Sequence, residues 1–170
     1  MAVLCRLSYS SGDGTMIDAA KHTRPAMLAL AFLLAGACST HPSPLSDLPT
    51  GTLTIGGGAV RVDVWIAEES ATRVEGLRGV EEMAENRGMV FLHQEPTGSR
   101  FTMQDTLIPL SLAAWGPDQR IASIIDMDPC AEEPCPIYDP EVTWVGALEV
   151  NQGFFARNGV EVGDRVALER

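Results

Sequence analysis

The sequence predicts a compact, barrel-like, mainly β (α+β) domain with one or two short helices, and three observations carry that expectation. Apolar runs of strand length recur from residue 52 onward, glycine and proline turn signals separate them, and only two stretches show helical character instead. With 170 residues there is room for one ordinary domain and little else.

Residues 52–55 and 59–67 flank Gly56-Gly57-Gly58. Val60, Val62, Val64 and Ile66 alternate with Arg61, Asp63 and Trp65, the period of a half-buried strand. Glycines supply the positive φ values of a tight connection, so a β-hairpin is expected. Residues 68–78 lack the alternation. There Ala71, Val74 and Leu77 recur at helical spacing behind Glu68 and Glu69, which predicts a short amphipathic helix closed by Gly79.

Residues 88–92 and 100–103 read as strands separated by the turn signal Pro96-Thr97-Gly98. Beyond Pro109, residues 110–115 and 120–127 form a second hairpin through Gly116-Pro117-Asp118. A proline-rich loop is expected over 128–143 and a strand over 145–150. One helical turn over 153–158, capped by Gly159, and a final strand over 165–168 complete the reading.

The N-terminal part reads differently. Met27 opens the apolar run MLALAFLLAGA, which follows Lys21, His22 and Arg24 and stops at Cys38. The run is too short for a bilayer core, which needs about 20 residues, and has the layout of a secretory signal peptide. Leu34-Ala35-Gly36-Ala37-Cys38 resembles the bacterial lipobox, although Ala35 stands where leucine is usual. The resemblance implies lipidation of Cys38, an exported, membrane-anchored lipoprotein of the cell envelope and, with Ser39 next, an address on the periplasmic face of the outer membrane. The expected division is therefore a signal region at 1–37, with Met16 as an alternative start, a lipidated cysteine and proline-rich tether at 38–51, and one domain at 52–170.

From Cys38 to Arg170 there are nine Arg, no Lys and 21 Asp and Glu, a net charge of −12. A surface this acidic repels phosphate backbones, so nucleic acid is not expected as a partner.

Four groups of residues bear on chemistry. Cys130 and Cys135 fit a structural disulfide in an exported chain, and so small a loop gains about 2 kcal/mol on the chain-entropy model. Asp126, Asp128, Glu132 and Glu133 crowd the same region, but their spacing matches no EF-hand, and a solvated acidic loop is the expectation. His93 is the one histidine inside the domain, too few for a catalytic zinc, and Ser99, Ser111 and Ser123 lack the nucleophile-elbow pattern. Gln104, Asp105 and Thr106 form a polar segment between Met103 and Ile108. It reads as an Asx-type turn in which Asp105 accepts backbone N–H groups, or as part of a pocket in which Asp105 and Glu149 hold a polar ligand with Gln104 and Thr106 as donors.

Gly76-Leu77, residues 88–91 (GMVF), residues 101–106 (FTMQDT), Ile108-Pro109-Leu110, Pro129-Cys130, residues 135–138 (CPIY), Leu148-Glu149-Val150, Gly153, Gly159-Val160 and Val162-Gly163-Asp164 follow one another in order. That order resembles the family of domains of unknown function numbered 192, over roughly 95 residues. The resemblance implies a small, mainly β fold and no particular activity. The family pattern has Trp, Lys and Asn where Thr102, Gln104 and Asp105 stand, and Asp in place of Ser111.

The expected function is non-enzymatic binding, without a cofactor or metal, of a small polar or saccharide ligand or of an envelope protein. The alternative is a hydrolase of envelope saccharides using Asp105 and Glu149 as a carboxylate pair.

Overall fold

The computed structural model describes residues 45–130 and 132–170. The expected signal region, the alternative start at Met16 and the lipidated Cys38 lie outside the described residues. Strands are β1 (Thr50–Ile55), β2 (Val60–Ala67), β3 (Arg87–Thr97), β4 (Phe101–Thr102), β5 (Leu110–Trp115), β6 (Ile121–Met127), β7 (Ile137–Tyr138), β8 (Trp144–Asn151) and β9 (Val166–Glu169). Two short helices, α1 (Ser70–Glu75) and α2 (Phe154–Arg157), interrupt them.

Seven strands form one sheet in the order β6-β5-β8-β3-β2-β1-β9, and β4 pairs with β7 separately. The chain crosses from β2 to its parallel neighbour β3 through α1, whereas the other strand pairs of the large sheet are antiparallel. The sheet curls until its two edges meet at one end. There Ile121 N–H donates to the Asp164 carbonyl at 2.9 Å, Gly163 N–H to the Ile121 carbonyl at 2.8 Å and Val166 N–H to the Gln119 carbonyl at 2.9 Å. The barrel-like, mainly β expectation is met as a curled half-barrel.

Strand alternation sorts the apolar residues onto two faces. Leu53, Ile55, Val62, Val64, Val90, Leu148 and Val150 gather in one core, closed by Phe154 and Phe155 of α2. Met89, Phe91, Leu110, Leu112, Trp144 and Ala147 face the other way, where Leu77 and Met103 cover them. A central sheet buried on both sides explains why β3, β5 and β8 read as nearly continuous apolar runs.

Both hairpins form where the sequence placed them, and Gly56, Gly57 and Gly58 take φ of 64°, 71° and 99°. Other expectations need correction. The tether ends before Gly51: Leu45 is buried in the second core with Leu48 packed against it, and the Pro49 carbonyl accepts Ile66 N–H at 2.8 Å. Two leucines in a proline- and serine-rich stretch found an apolar face.

Helix α1 is not an amphipathic core helix. None of its residues is buried, Val74 is 69% exposed, and Leu77 enters the core only after the helix has ended. Gly76 rather than Gly79 terminates it, with φ of 55° and its N–H on the Thr72 carbonyl at 2.9 Å. Strand β3 runs on through Pro96 to Thr97 because its pairing with β8 shifts between Leu92 and Thr97, leaving the proline where no ladder bond is required. Residues 128–143 are not wholly loop, since β7 pairs with β4 as Phe101↔Tyr138 and Thr102↔Ile137.

Gly146 of β8 lies under the Trp115 indole, and a Cβ there would stand 2.3–2.4 Å from three ring atoms. Gly146→Ala is therefore expected to cost about 1–3 kcal/mol through overpacking. The measurement is the urea midpoint, which should fall at unchanged slope; an unaltered midpoint would mean the ring is not held.

Candidate functional site

Glu149 occupies a central position on β8, in register with Met89 of β3 and Leu112 of β5. Its neighbours Leu148 and Val150 point into the first core, so alternation turns Glu149 to the other face. The carboxyl is thus planted among apolar side chains, 6% exposed, with no side-chain hydrogen bond or ion pair to another described residue. Burial pushes its pKa up to about 8, because the charged form loses its water without gaining a partner. At neutral pH the group is a neutral acid, able to donate as well as accept a hydrogen bond.

Above it opens a cleft of about 360 Å³ between this sheet face and the crossover from β2 to β3. Crossover residues Arg73 and Arg78 stand on one side and Phe101 and Arg100 on another, with Thr106 and Glu149 among the lining. Strand alternation puts His93 on the same face as Phe91, on the wall of the cleft, where its ring meets Trp144 edge-on at 4.9 Å. Trp144 stacks on Phe101 at 5.4 Å and donates its indole N–H to the Ser99 carbonyl at 3.0 Å. Partial burial, and then the positive charge of Arg73, lower the His93 pKa and favour the neutral ring.

The segment 103–106 closes as a turn, with Thr106 N–H on the Met103 carbonyl at 3.1 Å and Asp105 at φ of 59°. The Asx turn expected at Asp105 does not form. Thr102 Oγ1 accepts Gln104 N–H at 3.3 Å, while the Asp105 carboxylate faces solvent and pairs with Arg78 at 3.6 Å. The Asp105 backbone carbonyl accepts Gly79 N–H at 2.8 Å, which ties this turn to the crossover. Of the four residues expected to share a site, Thr106 and Glu149 line the cleft. Gln104 and Asp105 stay outside its lining, Gln104 in a bridge with Cys130.

Sequence reasoning missed Arg73, Arg78, Arg100, Phe101 and Trp144 as cleft residues. Their positions hold no local spacing signal; they meet because the crossover and β4 fold over the same sheet face.

The acidic residues near the disulfide act singly. Ser111 is buried and donates to the Asp126 carboxylate opposite it on β6, while accepting Gly153 N–H at 2.8 Å. Asp128 accepts from the Gln152 amide at 3.0 Å, and Glu133 accepts Cys135 N–H at 3.0 Å. Cys130 and Cys135 are joined as a disulfide with Cα atoms 5.6 Å apart. Among the described residues, no three His, Cys, Asp or Glu side chains gather as a metal-binding group.

A protein of unknown function from Novosphingobium aromaticivorans has a similar crystal structure. It is 30% identical, with a TM-score of 0.66 over 74% of this chain and 89% of that one. A putative transcription regulator from Sinorhizobium meliloti is 26% identical, with a TM-score of 0.65 over 71% of this chain and 95% of its own. No curated protein matches. The family model described as "DUF192: Uncharacterized ACR, COG1430" matches residues 51–168, and the chain belongs to that uncharacterised family.

Proposed function

We propose that the domain is a non-enzymatic binding module that holds a small polar ligand in the Glu149 cleft, carried at the cell envelope by a lipid on Cys38. The observation that carries the reading is a buried, unpartnered carboxyl lining a cleft of about 360 Å³. Burying a polar group without a partner is costly, and a bound ligand that hydrogen-bonds it offsets that cost. The volume lies at the small end of ligand sites, which suits one small molecule. Ser99 and His93 share the lining, but the Ser99 hydroxyl bonds Thr97 Oγ1 at 2.8 Å rather than the imidazole, so no nucleophile–base pair supports turnover. A glycosidase pair needs both carboxyls in one open cleft, and Asp105 is not part of the lining, so the pair Asp105–Glu149 is not assembled there.

The envelope location draws support from the lipobox-like residues before Cys38 and from a disulfide, which suits an oxidising compartment. Regulation of transcription, suggested for the Sinorhizobium protein, is not extended to this chain because its acidic charge opposes a DNA backbone.

The test is a thermal-shift screen of the full chain against saccharides, polyols, amino acids and small organic acids. A ligand at 100 times its Kd adds about 2.7 kcal/mol, enough to raise Tm by several degrees. That shift should vanish in Thr106→Val. A screen with no stabilising compound would overturn the reading.

A further inference from the structure

The lining of the cleft runs against the charge of the chain. Three of the nine arginines after Cys38 converge there, in a sequence with 21 acidic residues over the same span. Two carboxyls share the lining, Glu149 and the exposed Glu75 of α1.

The arginines are only weakly compensated. Arg73 donates to the backbone carbonyls of Glu68 and of Leu92, the latter at 3.1 Å, and these neutral acceptors hold the guanidinium in place without cancelling its charge. Arg100 is exposed and has no carboxylate partner among the described residues. Arg78 meets Asp105 at 3.6 Å, through a carboxylate that is 68% exposed and therefore well screened. Deeper in, Thr106 and Glu149 are each 6% exposed and line the cleft with side chains that no other described side chain engages. Cations toward the mouth and neutral hydrogen-bonding groups beneath form a graded site.

We infer that the cleft takes a small oxyanion, a carboxylate or a phosphate carried on a polar body, with Arg73, Arg78 and Arg100 around the anion and Thr106 and Glu149 hydrogen-bonding the body. This rests on the ligand-binding reading above and narrows it. Guanidinium groups match both oxyanions by paired N–H donors, and such charge-assisted bonds are stronger than neutral ones. Arg73 is already oriented by its two carbonyls, so less freedom is lost when an anion arrives. The neutral floor matters equally, since an ionised carboxylate beneath the anion would repel it.

The experiment is an NMR titration of the ¹⁵N-labelled full chain, at constant ionic strength, with glucose, glucuronate and glucose 6-phosphate. One sugar body then carries no charge, a carboxylate or a phosphate. Saturable shifts at Thr106 and at the Arg73 and Arg100 Nε–Hε groups are expected with at least one anion, at a Kd ten-fold or more below that of glucose. The tighter of the two anions identifies the headgroup. Arg100→Glu should weaken that binding at least ten-fold with Tm unchanged, whereas Arg165→Glu, outside the cleft, should leave it within two-fold. Glucose binding as tightly as both anions would overturn the oxyanion inference and leave the polar-ligand reading standing. Equal weakening by the two arginine variants would overturn it as well, by reducing the effect to overall charge. Absence of saturable shifts with all three would overturn it too, while the polar-ligand reading would then stand or fall on the broader screen.

Discussion

Glu149→Gln is expected to stabilise the domain at alkaline pH and to flatten its stability between pH 6.5 and 8. The unfolded chain releases this proton near the ordinary carboxyl value of 4.5, whereas the folded chain keeps it until about pH 8. Below 4.5 both states are protonated and the carboxyl has no differential effect. Between the two values the folded state holds the extra proton, so stability falls as pH rises. A gap of roughly 3.5 pH units corresponds to a loss on the order of 5 kcal/mol once both states are ionised. Glutamine cannot ionise, so the variant should show no such fall.

His93 works in the opposite sense. Its lowered pKa means the unfolded state binds more protons below about pH 6.5, so its contribution rises with pH there and then stops. The clean window for Glu149 is therefore pH 6.5 to 8. Urea midpoints of both proteins at half-unit intervals across pH 5–9 provide the check. Parallel curves from 6.5 to 8 would show that the carboxyl is solvated rather than buried.

Trp144→Ala is expected to cost about 3–5 kcal/mol, the range for deleting a buried aromatic side chain. The indole is 2% exposed, is stacked on Phe101, meets His93 edge-on and is anchored to the Ser99 carbonyl. Trp144→Phe retains a ring and gives up the N–H donor, so its cost should exceed the roughly 1 kcal/mol of one hydrogen bond only by the volume lost. Chemical denaturation of the two variants separates these contributions. Proton spectra add a local readout, since the His93 and Phe101 ring signals should move in the alanine variant. A loss below 1 kcal/mol for alanine would mean that this wall of the cleft is not built on Trp144.

How much of this was legible depended on whether the signal was local. The alternation of Val60, Val62, Val64 and Ile66 survives in any tertiary setting in which one face is buried, and the hairpin formed as read. Glu149 entered the reading only as the partner of Asp105 in a pocket, yet the single carboxylate among Leu148 and Val150 marks a residue that must meet either solvent or a site. Asp105 met the same criterion yet points into solvent, because its left-handed φ turns the residue outward and Arg78 stabilises it there. The spacing of Ala71, Val74 and Leu77 suggested a buried helical face; in fact the helix sits over a cleft, and only Leu77 reaches apolar neighbours. The arginine cluster was invisible for a simpler reason. Arg73, Arg78 and Arg100 come from the crossover and from the approach to β4, and their meeting is a property of packing.

The last strand of the sheet has a kinetic consequence. β9 lies beside β1, with Thr52 opposite Glu169, and the residues just before β9 bond to those just before β6. Until that late segment arrives, β1 is an open edge flanking an apolar interior, and the Ile121 end of β6 has no strand to meet. Pairings this distant in sequence are slow to close, and open edges are templates for joining other chains. The growing chain therefore passes through a window in which β1 can pair with another copy, and β9 closes that edge when it docks.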